Sequence, residues 1–435
     1  MAEAAIIARV LASPLDVEAD AWNALLARQS HPTPFMRHEY LAALHESGSA
    51  TPRTGWAPRF MTLWEDGTLI AACPLYLKSH SYGEYVFDWA WASAYEQHGV
   101  PYYPKAVVAV PFTPVPGTRL MARDEATRAL LVQAVCQWCG EENVSSMHVL
   151  FASDDDAQTC AGRDLMLRHT VQFHWKNQAP APGIGVPRPP SGEAAPAPEP
   201  PGGKGGYRSF DEFLASLSQE KRKKIRQERR RVADAGVTFR WARGTDIPQA
   251  DWDFFYRCYE RTYLEHGNPP YLTRDFFARM AAQLPGAWLL FIAERNGRPI
   301  ASSLIAVGAD SASASGQNPH EPVAYGRYWG ALERVDCLHF EACYYQPLQW
   351  CIEHGARRFE GGAQGEHKMA RALLPVQATS AHWLAHPAFA EAVERFLARE
   401  SEGVRHYLDE LQERSPFRQA APGGGGNGRP GSPGR

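Results

Sequence analysis

The sequence predicts an α/β protein made of two copies of one plan, each a mixed twisted sheet flanked by helices. Three observations carry that prediction. Short signals recur in the same order in both halves, the stretch from Val323 to Lys368 reads strand, helix, strand and polar loop, and a Pro/Gly-rich segment separates the copies.

The recurrence begins with hairpins. Asp66-Gly67 and Asn296-Gly297 each sit between β-formers, and these pairs suit a type I′ turn, whose two central residues need positive φ. Upstream of each lies a proline-aromatic helix start, Pro34-Phe35 and Pro270-Tyr271. A helix carrying Trp138-Cys139 matches one carrying Trp350-Cys351, and a strand ending His174-Trp175 matches one ending His382-Trp383. Four matches in order predict a first unit at 1–178 and a second at 207–390. Between them, 179–206 holds nine prolines and seven glycines in 28 residues, the composition of a disordered linker or insert. Residues 311–321 read as a shorter flexible loop and 416–435 as a disordered tail. The segment from Pro387 onward, with a C-terminal helix at 391–415, carries Phe389, Val393, Phe396 and Leu397 on one stripe and is expected to cover the second unit.

In the Val323–Lys368 stretch, alternating β-formers give way to apolar residues at helical spacing from Leu338 to His354. Gly355 is a natural stop, and Pro347 must kink or divide the helix. A second strand, Arg357–Glu360, opens into a glycine loop holding Glu366, His367 and Lys368. Reactive groups at a strand's carboxyl end are where open α/β sheets keep their sites.

Ser209-Phe-Asp-Glu212 fits a capping box. Just beyond it, Lys221–Arg231 places eight cations in 11 residues around a narrow seam of Ile225 and Val232, which predicts a basic helix over 219–235. Arg222, Arg226 and Arg229 share a face with Lys223 beside them, a pattern suited to phosphate because the Arg fork is bidentate.

Composition sets limits. Hydrophobic residues at 44% and charged residues at 21% are ordinary for a globular protein, and 435 residues allow two or three domains. A formal net charge of −3 gives no global pull toward nucleic acid, so stable DNA binding is not expected and any basic site is local. The N-terminus lacks the basic and apolar segments of a signal peptide, and no run approaches the roughly 18 apolar residues needed to span a bilayer, so a cytoplasmic location is expected. Cys136 and Cys139 form a CxxC with no second pair, so buried thiols are expected and no metal. Cys337 and His339 stand two apart, which puts them on different helix faces and gives thiol catalysis little support.

The strings Tyr328-Trp-Gly-Ala-Leu-Glu333, Cys337-Leu-His-Phe-Glu-Ala-Cys-Tyr-Tyr345 and Gly365-Glu-His-Lys368 resemble the FemAB-like branch of the GNAT N-acyltransferases, over roughly residues 5–390. The resemblance implies tandem GNAT-like (acyl-CoA N-acyltransferase) domains that move an acyl group from acyl-CoA to a small-molecule or peptide amine. Glu366 and His367 are candidate bases, and Glu341 projects with Tyr344 one helical turn away. Arg222, Lys223, Arg226, Arg229 and Lys368 are candidates for the donor's phosphates. Tyr103, Lys105 and Phe112 lie in strings that resemble the family's, and with Tyr328, Trp329, Tyr344 and Arg371 they are candidates for the acceptor groove. One departure bears on the donor. The turn at Ala331–Asp336 has no glycine to cradle a pyrophosphate, so charged tRNA stays open as the alternative. A non-catalytic protein binding RNA or a membrane surface is the rival from another class.

Overall fold

The computed structural model describes residues 5–178, 205–309, 322–362 and 365–417. Most of the expected linker, the 311–321 loop and the tail beyond 417 lie outside these residues. The first half contributes β1 (Ile6–Leu11), β2 (Trp56–Pro58), β3 (Phe60–Glu65), β4 (Thr68–Cys73), β5 (Leu75–Lys78), β6 (Lys105–Val108), β7 (Met121–Ala122), β8 (Ser146–Ala152) and β9 (Met166–Lys176). The second contributes β10 (Val237–Arg243), β11 (Trp288–Arg295), β12 (Arg298–Ala309), β13 (Pro322–Ala331), β14 (Arg358–Glu360) and β15 (Leu374–Leu384).

Both predicted hairpins form, with Asp66 and Gly67, and Asn296 and Gly297, all at positive φ. In the first, Arg59 and Pro74 interrupt the two arms, so the tip (β3, β4) runs in a small sheet with β1 and β7 while the base (β2, β5) joins the large one. The large sheet has eleven strands in the order β10-β11-β12-β13-β14-β9-β15-β8-β6-β5-β2. In each half two parallel strands flank a long helical run, β6 and β8 around Glu125–Glu141, and β13 and β14 around Leu338–Glu353. The last strands are exchanged. β9 of the first half lies between β14 and β15, and β15 of the second lies between β9 and β8. The sequence repeats are therefore joined through one continuous ladder, and their aromatic cores meet as well. Tyr40 packs edge-on against Phe276 with centroids 5.3 Å apart, and Phe35 against Tyr325 at 5.4 Å.

Pro347 divides its helix as expected. The run starts as Leu338–Phe340, widens into a π turn at Glu341–Tyr345, and resumes as Gln346–Glu353 with Pro347 just after the π turn, an irregularity of the kind found where a helix meets proline. The basic helix spans Gln219–Asp234, is capped by Ser218 and ends at Gly236. The C-terminal helix, Pro387–Glu413, differs from expectation. Phe389 stacks on Tyr95 at 3.9 Å, and Val393 and Leu397 join Trp91 and Tyr102, so this stripe covers the first half. Phe396 turns outward. Leu384 of β15 joins the same cluster, and the far end, with Tyr407 and Leu411, packs on the second half.

Candidate functional site

β13 and β14 pair only from Val323 to Tyr325 and from Arg358 to Glu360. Beyond that β13 stays with β12, whereas Gly361 donates to Phe173 O of β9, so the two strands part in a fork. A side chain at Gly361 would press on its neighbours. A Cβ there would lie 2.5 Å from Leu373 Cδ2. A cavity of about 260 Å³ opens in the fork. The first half supplies Tyr85, Phe112 and Pro114, β13 supplies Arg327, Tyr328 and Trp329, and the divided helix supplies His339, Cys343 and Tyr344.

Local backbone features aim these groups. The β12–β13 register passes from Leu304↔Tyr328 to Ile305↔Gly326, which makes Arg327 the extra residue of a bulge, a device that re-aims a side chain. Tyr85 (φ 60°) and Phe112 (φ 57°) both hold the left-handed conformation without being glycine, a strain that clusters at functional sites. Phe112 is braced by stacking on Tyr271 at 4.8 Å. Tyr85 sits between two carboxylates, Glu84 and Asp88, that are both tied to the buried ammonium of Lys105. Lys105 also donates to Ser81 Oγ at 2.8 Å, and Ser81 bonds the Tyr103 hydroxyl at 2.8 Å. The expectation that Lys105 and Tyr103 line the groove is therefore corrected. Lys105 is 0% exposed, enclosed by its counter-ions, and it anchors the turn that presents Tyr85.

The divided helix has two working faces. His339 and Cys343, four apart, look into the cavity with Tyr344. Glu341 and Tyr345, also four apart, look back at the basic helix. Glu341 is held by Arg229 Nη2 at 3.0 Å and by Gln346 at 2.7 Å, so these two predicted residues hold one another and do not reach the cavity. The expected common face of Arg222, Arg226 and Arg229 also divides. Arg229 turns inward over Phe210, Arg226 stays exposed 3.8 Å from Asp211, Lys223 points to solvent, and Arg222 lies half-buried. Arg371 is likewise engaged elsewhere. It is buried, paired with Glu228 at 3.0 Å, and lies 3.5 Å over the Phe340 ring. Phe112, Tyr328, Trp329 and Tyr344 do line the cavity as expected.

Of the loop residues, Lys368 is buried beside the fork and donates to Gly362 O at 2.9 Å, and burial pushes its pKa down to about 8. His367 Nε2 meets the Tyr344 hydroxyl at 3.1 Å, and burial with the nearby Arg371 and Lys368 charges holds the imidazole below its usual range. Glu366 is exposed, accepts the Tyr407 hydroxyl at 2.6 Å, and borders a second cavity of about 420 Å³ on the far side of Tyr85. Sequence reasoning missed Arg327 and Tyr85, and it weighed His339 and Cys343 only as a thiol site and set them aside. The i, i+4 spacing of the last two was readable, but no spacing announces a bulge. Burial pushes the Cys343 thiol up to about 12, so it stays protonated and is a poor nucleophile.

Comparison of the sequence with curated proteins returns no match. Among solved structures the chain is similar to FemX (10% identity, TM-score 0.48, covering 87% of this chain and 98% of that one). It is similar to L-PGS of Bacillus licheniformis (10%, 0.48, 87% and 97%) and to a tandem GNAT protein from the clavulanic acid biosynthesis pathway (13%, 0.41, 88% and 99%). A family model described as peptidoglycan biosynthesis/recognition matches residues 13–181 and 203–419, and by that match over most of its length the chain belongs to the FemAB-like family.

Proposed function

We propose that this protein transfers an aminoacyl group from aminoacyl-tRNA to an amine, with the reaction in the β13–β14 fork. The carrying observation is the two-faced helix Leu338–Glu353. It lines the cavity with His339, Cys343 and Tyr344 and holds on its back a helix that exposes Lys223, Lys224, Arg226 and Arg230. A run of solvent-facing cations next to a small reaction cavity suits a polyanionic donor whose reactive end is small. The family's link to peptidoglycan, a polymer rich in amides, supports the same reading.

The acyl-CoA donor expected from the sequence has weaker support. A pyrophosphate needs free backbone N–H groups at a helix start, usually through glycine. Here the turn after β13 carries Glu333, paired with Arg295, and Asp336, and the helix is entered through Cys337 at φ 67°.

In the proposed reaction the acceptor amine adds to the ester carbonyl of the donor. The ester C–O bond then breaks, and the departing ribose oxygen takes up a proton while the nitrogen loses one. His367, neutral at pH 7, takes the amine's proton through the Tyr344 hydroxyl. Lys368, still largely cationic at pH 7, stabilises charge on the carbonyl oxygen.

The test offers two labelled donors, aminoacyl-tRNA and acetyl-CoA, with a peptidoglycan-precursor peptide bearing a free amine. Amide product carrying the tRNA-borne label is expected. Product from the thioester alone overturns the donor assignment, and RNA binding without transfer from either donor favours the non-catalytic rival.

A further inference from the structure

Arg327 stands apart from every other residue lining the fork cavity. Among the described lining residues it is the one with a formal charge, and none is a carboxylate. Its hydrogen bonds go to neutral groups. Nη2 donates to Phe112 O at 2.9 Å and reaches Thr113 Oγ1 at 3.5 Å and the Tyr328 hydroxyl at 3.3 Å. Nε is buried with no partner. The guanidinium is gripped by the Phe35 and Tyr328 rings, 5.1 and 5.0 Å from its carbon. Of the other inward-turned cations in this region, Arg229 meets Glu341 and Arg371 meets Glu228, whereas Lys368 donates to Gly362 O. A half-buried guanidinium with no counter-charge among the described residues is costly, and an anion brought in by a ligand offsets that cost.

Size and shape narrow the ligand. At about 260 Å³ the cavity is below the usual range for drug-sized ligands and fits a group the size of one amino acid. The planar Arg fork matches a carboxylate, and its orientation is fixed in advance by Phe112 and Tyr328.

We propose that Arg327 seats a carboxylate of the amine substrate, so that the acceptor is an amino acid or peptide carrying a carboxylate close to its reactive amine. The anion seat stands on the cavity alone. Assigning it to the acceptor rests on the amine-transfer reading above.

The test measures thermal stabilisation of the full chain by a panel of amino acids and dipeptides, each compared with its carboxamide, and by inorganic phosphate. A ligand that prefers the native state must raise its stability. The expected result is saturable stabilisation by a carboxylate, with the carboxamide weaker by about tenfold or more. Arg327→Met should erase that difference while Arg327→Lys keeps part of it. The carboxylate–carboxamide comparison on the unaltered protein is decisive even if the Met variant fails to fold. Equal shifts from acid and amide, or no shift with any acid, overturn the proposal. Preference for phosphate overturns the carboxylate assignment in favour of a phosphoryl group. Binding is read without turnover. Acid-selective binding with no transfer therefore sinks only the transferase reading, and transfer indifferent to the carboxylate sinks only the assignment of the seat to the acceptor.

Discussion

Glu228, the one acid within the cationic run Lys221–Arg231, accepts Arg371 Nη2 at 3.0 Å on both carboxylate oxygens and also takes the Tyr345 hydroxyl. It ties the basic helix to the divided helix and to the loop that carries His367 and Lys368, since Arg371 also donates to His367 O at 2.7 Å. Both side chains are buried, at 9% and 3% exposed. Replacing one partner leaves the other charge uncompensated. Glu228→Ala is expected to lower unfolding free energy by about 3 kcal/mol or more. Glu228→Leu combined with Arg371→Met should recover part of the loss. Denaturant titration of the single and double variants checks this, and additive losses would mean the pair is not coupled.

Lys105 is the corresponding anchor in the first half. Lys105→Met strands Glu84 and Asp88 beside one another at buried positions, so a loss of about 3–5 kcal/mol is expected. Adding Glu84→Gln and Asp88→Asn should return part of it. Because Glu84 and Asp88 flank Tyr85, the triple variant is also expected to bind cavity ligands more weakly even where its stability is restored. Unchanged ligand binding in a restored variant would show that the Tyr85 turn holds its place without the ion cluster.

These two anchors show what the sequence could and could not reveal. Period and punctuation are local properties, so the Asp-Gly and Asn-Gly hairpins, the Ser209 and Gly236 helix boundaries and the division at Pro347 were legible. Four cavity residues, Phe112, Tyr328, Trp329 and Tyr344, were also in view, because the strings that hold them resemble those of the FemAB-like family. The direction of a charge was not legible. Lys105, Arg229 and Arg371 look like ligand-binding cations until their partners Asp88, Glu341 and Glu228 appear, and those partners lie 17, 112 and 143 residues away. The exchange of β9 and β15 is equally hidden, because strand periodicity does not name a neighbour. Arg327 owes its aim to a bulge, which leaves no periodic trace.

The basic helix separates binding cations from structural ones. Neutralising Lys223, Lys224, Arg226 and Arg230, all exposed, is expected to leave the melting temperature nearly unchanged. Their loss should weaken tRNA binding and flatten its salt dependence, by up to about 0.7–0.9 in the log–log slope for each phosphate contact removed. Arg229→Ala should do the reverse, destabilising the fold by leaving Glu341 buried without its cation. Filter binding across a salt series, with thermal melts, measures both. A salt slope unaltered by the four exposed changes would remove the helix from the donor site.

Lys368 makes a pH-dependent prediction in both stability and activity. Burial lowers its pKa from 10.5 to about 8, so between those values the unfolded chain binds a proton that the native protein does not. Stability from this group therefore rises as pH climbs from about 8 toward 10.5, and below 8 the buried ammonium is a standing penalty. Lys368→Met is expected to melt higher than the parent near pH 7, with the advantage shrinking as pH rises through that window. Activity should run the other way. If the ammonium stabilises the oxyanion, turnover falls as pH passes about 8, and Lys368→Met loses roughly 10²-fold or more in kcat at pH 7. A variant both more stable and inactive places Lys368 at the reacting carbonyl, because a merely structural lysine would lose stability when removed. A variant less stable than the parent and active in proportion to its folded fraction would assign Lys368 to supporting Gly362.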